Sequence, residues 1–194
     1  MIVAALASWL LAADSDLVLR ARLDPFVTIV AGGASVGVDI ARRQDPLRLS
    51  VAAFVVDVPR VVVPLISSGT TSLQIVESCV QLGVLAALSP EHRGFFLGPE
   101  LYAYQLRYVD DAAPAHHAVA YEIYAHITAG YVWFLFSSGP GDHDNGIIDD
   151  VFVMPWLTAG APLLKSGGAI FPDGVVVSDR VFNAHATVSI GLQL

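Results

Sequence analysis

Charge is what this sequence has least of. Asp, Glu, Lys and Arg together make up 14% of its 194 residues, against about 25% in ordinary soluble domains. A chain so poor in ionic groups cannot cover a whole monomer with solvated side chains. Much of its exterior must be buried against other chains or must face lipid. Cations are scarcer still: ten Lys and Arg stand against eighteen Asp and Glu, for a net charge of −8. The cations occur singly or in pairs, with Arg42-Arg43 the longest run, and form no basic arm or stripe. That distribution excludes strong direct nucleic-acid binding, because an acidic surface repels phosphate. Cysteine occurs once, at Cys79. An intrachain disulfide is excluded, and a buried structural thiol is expected in its place.

Catalytic signatures are missing too. The chain has no G-x-S-x-G elbow and no G-x-x-x-x-G-K-[ST] phosphate loop. The "AGGAS" stretch at 31–35 lacks the rest of a dinucleotide fingerprint and reads as a turn. The apolar start, "MIVAALASWLLAAD", has no positive leading region, which disfavours a cleaved signal. Residues 1–13 are too few to cross a bilayer as a helix, so they are expected to lie on a membrane or on a neighbouring subunit. The uncharged run Ile123 to Gly141 is long enough for a helical span, but it is rich in β-branched and aromatic residues and broken by glycines and Pro140. It reads as two strands, 116–128 and 131–137, with Gly130 as a bend or bulge.

What is present is mostly strand pattern. "LVLRAR" (17–22) alternates, and "FVTIVA" (26–31) follows the turn Asp24-Pro25 as a second strand. Residues 35–41 and 47–58 continue the series. In 101–109, Tyr102, Tyr104, Leu106 and Tyr108 share one face. At the end of the chain Ala186, Val188, Ile190, Leu192 and Leu194 alternate with small or polar residues. One interior helix is expected at about 72–88. Thr71 and Gln74 fit a capping box, Leu73, Val76, Val80 and Val84 recur at helical spacing, and Ser89-Pro90 ends the run. With no internal repeat or linker, the expectation is a single domain over 1–194. It is mainly β, an antiparallel sandwich of jelly-roll type, with one helix and an apolar N-terminal segment.

Two clusters carry candidate chemistry. His116, Glu122 and His126 share a strand face. At about 3.3 Å per residue, Glu122 and His126 stand roughly 13 Å apart, too far to meet one metal ion without ligands from other strands. The histidine-rich start and Glu122 resemble the cupin pattern, with Ala115 where that pattern has a histidine. The resemblance implies a metal-dependent enzyme or ligand-binding module. The second cluster is "GPGDHDNGIIDD", where Asp142, Asp144 and Asp149 surround Asn145-Gly146. Alternating carboxylates on a tight turn suit Ca²⁺, which takes oxygen ligands, although the EF-hand spacing is absent. A hairpin turn accounts equally for Asn-Gly.

Sparse charge, strand content and missing catalytic motifs point to a structural subunit, expected as a virus or phage coat protein. It would contact copies of itself and other virion subunits in a virion assembled in the host cytoplasm. The cupin-like module is the alternative. An outer-membrane β-barrel is a further one: the alternating C-terminus fits it, while the expected helix and the missing terminal aromatic count against it.

Overall fold

The computed structural model describes residues 17–43, 45–57, 72–89, 92–110, 116–135, 151–165 and 183–194. These form β1 (Leu17–Leu23), α1 (Pro25–Ala31), β2 (Ala34–Arg42), β3 (Leu47–Asp57), β4 (Ser72–Ala87), β5 (Gly94–Asp110), β6 (His117–Phe134), β7 (Val151–Lys165) and β8 (Asn183–Gln193). Every strand pairs antiparallel with its neighbours in sequence, and β8 pairs with β1 from Arg20↔Gln193 to Leu23↔Ile190, closing one barrel.

The mainly-β expectation holds, and the architecture differs from a jelly roll. A sandwich needs two sheets, whereas closure of β1 on β8 leaves one continuous sheet with each described strand beside its sequence neighbours.

Three local expectations are corrected as well. The helix expected at 72–88 is strand β4, paired to β3 along one edge and to β5 along the other. Its register shifts between Val76 and Ser78. Val76 and Cys79 are buried, while Val80, Leu82 and Val84 point outward. The bulge throws two period-two halves out of phase, and their sum imitates a three-to-four spacing.

The second correction runs the other way. Residues 26–31, expected as a strand, belong to α1. The Asp24 side chain accepts hydrogen bonds from the backbone N–H of Phe26 (3.0 Å) and Val27 (3.2 Å). Pro25 opens the helix, and Gly32 ends it with φ of 63°. Thirdly, residues 116–128 and 131–137 are not two strands bent at Gly130. They run together as β6 at least to Phe134. Gly130 serves a packing need there, since a Cβ would lie 2.4 Å from the Phe96 ring.

Strand direction gives the barrel two ends. The β2–β3 and β4–β5 turns, Leu17 and Leu194 lie at one, here the turn end; α1 lies at the other, the loop end. Inside, an apolar cluster near the turn end contains Leu85, Phe96, Val132, Phe134, Phe152, Met154 and Trp156. A second, toward the loop end, is built on Tyr102, Tyr104, Leu106, Tyr108 and Tyr124 with Phe54 and Val56 packed against it. Eight strands enclose a space of about the size that side chains can fill, and the two clusters occupy much of it among the described residues.

Candidate functional site

The alternation of each strand decides what this barrel presents inward and outward. On β1, Val18, Arg20 and Arg22 are buried inside, and Leu17, Leu19, Ala21 and Leu23 face out. The same inversion recurs around the wall. Asp39, Arg48, Ser50, Gln81, Glu100, Glu122, His126, Thr128, Thr158 and Ser189 are all buried. Leu82, Leu97, Leu101, Ile127, Leu157 and Ile190 are exposed. Three of the chain's ten basic residues, Arg20, Arg22 and Arg48, are thus inside the barrel.

The interior polar groups form a belt between the two apolar clusters, in two connected parts. In the first, Glu100 accepts hydrogen bonds from Gln81 Nε2 (2.6 Å), from the Tyr102 hydroxyl (3.0 Å) and from the Thr128 hydroxyl. The Thr128 and Thr158 hydroxyls are 2.8 Å apart, and His126 Nδ1 lies 3.0 Å from Thr158 Oγ1. The His126 ring packs 4.3 Å from that of Tyr102.

In the second part, Asp39 stands between Arg22 (3.5 Å) and Arg48 (3.8 Å). Arg22 donates to Ser50 Oγ at 3.1 Å. Guanidinium groups also lie over aromatic faces: Arg48 is 4.0 Å from the Phe96 ring centre, and Arg20 is 5.2 Å from that of Phe134. Glycines make the space these side chains occupy. A Cβ on Gly83 would sit 2.6 Å from Glu100 Cγ, and one on Gly37 would sit 2.9 Å from Arg22 Cζ.

The outer wall has its own order. Between Tyr121 and Tyr131 on β6, the outward positions are Ile123, Ala125, Ile127 and Ala129. Ten residues of strand span about 33 Å, which a tilt of about 40° reduces to roughly 25 Å along the barrel axis. That is the height of the apolar band in a membrane barrel. Aromatic side chains border it: Phe95, Tyr131 and Trp133 are exposed near the turn end and Tyr121 near the loop end. The Phe95 and Tyr131 rings meet edge to face at 4.9 Å. Toward the loop end the wall becomes polar, where Arg107 Nε pairs with Glu77 at 3.0 Å and Gln105 donates to Glu77 at 2.7 Å.

The residues singled out from sequence fare unequally. Asp142, Asp144 and Asp149 lie outside the described residues, as do residues 1–13 and His143. Glu122 and His126 do share the inner face, but each serves a different neighbour. The Tyr124 hydroxyl donates to Glu122 at 2.8 Å, and His126 joins the Thr158 chain. Among the described residues no three His, Cys, Asp or Glu side chains converge as metal ligands. Cys79 is buried inside the barrel on β4. Sequence reasoning missed the belt itself, although "LVLRARL" carried its signal: two arginines alternating with leucines belong to a strand whose polar side faces inward.

The turn end carries one buried titratable group outside the strands. His92 is 1% exposed; its ring Nε2–H donates to the Arg42 carbonyl at 2.7 Å, and its own carbonyl accepts from Arg20 at 3.0 Å. Burial holds the imidazole below its ordinary pKa of 6.5, outweighing the Arg42 hydrogen bond, and the nearby charges of Arg20 and Arg48 push the same way. The unfolded chain therefore binds this proton more readily than the folded one. Stability is full above pH 6.5 and is lost as pH falls below it. The urea midpoint of the folded protein should drop from pH 7.5 to pH 5, and His92→Gln, which keeps a donor for Arg42, should reduce the drop. Equal drops in both proteins would refute the assignment.

Comparison with protein-family models, with curated proteins and with solved structures gives no match for this chain.

Proposed function

We propose that this chain is a transmembrane β-barrel of the outer-membrane type, closed rather than channel-forming. One observation carries the proposal: the wall is apolar over a band of membrane height edged by aromatic residues, while buried charge is gathered inside. Water would be a poor solvent for such a wall, and lipid a good one. The scarcity of charge in the sequence follows, since only the interior and the two ends need polar groups. A shallow outer groove of about 530 Å³, lined by Phe26, Phe95, Tyr131, Pro155, Leu157 and Val188, offers an acyl chain an apolar seat. No helix among the described residues is long and apolar enough to cross a membrane, so strands would do the crossing.

The inward side chains of the two clusters and the polar belt crowd the interior, which supports a membrane-embedded scaffold rather than an open pore. Its ends, not its interior, would meet partners. The coat-protein reading is the second proposal, because an apolar exterior can also be covered by copies of the same subunit. A tile of a shell, however, needs apolar contact faces only where neighbours sit.

Refolding from urea separates the two. The membrane barrel should fold only with detergent micelles or phospholipid vesicles. It should migrate differently on denaturing gels before and after boiling, and brominated lipid should quench its tryptophan fluorescence. A folded monomer in plain buffer, or large symmetric particles without lipid under the electron microscope, would overturn it; the particles would support the coat-protein reading. In planar bilayers the inserted protein should show no steady porin-like conductance.

A further inference from the structure

The β6–β7 ladder is interrupted beside the outer groove. Its pairing passes from Gly130↔Trp156 to Trp133↔Val153, and the register of both pairs sets Tyr131 opposite Pro155 in the gap. Opposite pairs in an antiparallel ladder alternate between those that exchange hydrogen bonds and those that do not. Leu135 N–H donates to the Val151 carbonyl at 3.0 Å, so Tyr131 and Pro155, in phase with that pair, occupy bonding positions. Proline has no N–H to donate. Among the described residues the Tyr131 carbonyl therefore receives no ladder bond from β7. The β4–β5 pairing shows the same break between Gly83↔Glu100 and Ala86↔Leu97, where Pro99 stands.

The two breaks differ in their surroundings. Tyr131 and Pro155 line the groove, and Pro99 does not. Small outward side chains at Ala129 and Ala186 keep the groove floor low. The Phe95 and Tyr131 rings rise on one side, and Phe26 of α1, which packs on β8, rises on the other. Tyr131 is also one of the aromatic residues that edge the apolar band, at the depth where head groups begin. A backbone carbonyl without a donor is costly beside lipid, so a donor within reach is held there.

We propose that the groove is a specific seat for a phospholipid whose head group carries N–H donors, the ethanolamine class. Its ammonium donates to the Tyr131 carbonyl, and one acyl chain lies over Ala129, Pro155 and Ala186. The ethanolamine ammonium has three N–H donors, whereas the choline nitrogen is fully methylated and has none. Both lipids carry the same net charge, so they differ in the property that this carbonyl reads. The site rests on the membrane reading above.

Quenching of tryptophan fluorescence tests it, because Trp156 lines the groove. Folded protein is placed in phosphatidylcholine vesicles containing a minor fraction of lipid with brominated chains, either phosphatidylethanolamine or phosphatidylcholine. In wild type the brominated ethanolamine lipid should compete roughly threefold to tenfold better, the range of a single hydrogen bond. Pro155→Ala keeps the groove open and restores the ladder N–H, so it should erase the preference. Ala186→Phe fills the groove from an exposed position and should erase it too. Pro99→Ala, which restores the corresponding bond away from the groove, should keep it. Equal quenching by the two lipids in wild type would overturn the site and leave the membrane reading standing. A preference that survives Pro155→Ala, or that disappears in Pro99→Ala, would also overturn it. Quenching by neither lipid would refute the membrane reading itself.

Discussion

Arginine introduced at Leu101 or Ile127 is expected to cost about 2–4 kcal/mol of folding stability in a bilayer, while arginine at Val119 or Leu135 costs about 0–1. All four positions are exposed on the outer wall. They differ in height: Leu101 and Ile127 lie well inside the band, and Val119 and Leu135 lie beyond Tyr121 and Tyr131 at its edges. A guanidinium near the bilayer centre must be desolvated or must drag water and headgroups to itself, and at the rim it reaches them directly. The same comparison extends around the barrel to Leu19, Val51, Leu157 and Ile190, all exposed and apolar. Lipid surrounds a barrel evenly, so the cost should follow depth and not strand. A protein neighbour covers a patch, so a coat subunit would show high costs on a few adjacent strands and none on the others. The measurement is the urea unfolding free energy of each variant in phospholipid vesicles. Uniform values near zero would refute burial of the wall altogether.

The dependence on facing explains what the sequence made legible. Alternation at 17–22 and 101–109 identified strands correctly, because period two survives whichever face is polar. It does not say which face is inside. Tyr102, Tyr104, Leu106 and Tyr108 form an inner face, and so do Arg20 and Arg22. Only closure of the sheet makes both true. The sparse charge agrees with the exposed apolar wall, and whether lipid or other chains cover that wall is what the arginine series measures. The expected helix at 72–88 then weighed against a membrane barrel, and that helix came from a bulge at Val76–Ser78. Asp24-Pro25 was visible as a chain reversal, but an Asp followed by Pro is equally a helix cap and first turn, which is the form it takes. The belt could not be assembled from sequence at all. Gln81, Glu100, Thr128 and Thr158 come from four strands and meet only through register.

That register makes Glu100 the residue whose loss should hurt the interior most. Replacing it with leucine is expected to destabilise the barrel by about 3–5 kcal/mol. Glu100 is 2% exposed and is the shared acceptor for Gln81, Tyr102 and Thr128. Leucine fills similar volume but accepts nothing, so three buried donors lose their partner at once. The Thr128–Thr158–His126 chain also loses its anchor. Relief from burying a carboxylate offsets part of the cost, which keeps the total below the sum of three charged hydrogen bonds at about 1.5–3 kcal/mol each. Glutamine at the same position keeps one acceptor oxygen and should cost about 1–2 kcal/mol. Gly83→Ala supplies an independent check. Its new Cβ would lie 2.6 Å from Glu100 Cγ and 2.8 Å from Oε1, so it must displace the carboxylate from its donors. In wild type that substitution should be clearly destabilising. In a Glu100→Leu background it should cost less, because the hydrogen bonds it disturbs are already gone. Urea unfolding of the four proteins of this cycle, followed by tryptophan fluorescence, gives the coupling directly. Additive effects, or a Glu100→Leu protein as stable as wild type, would show that the belt does not hold the barrel together through this carboxylate.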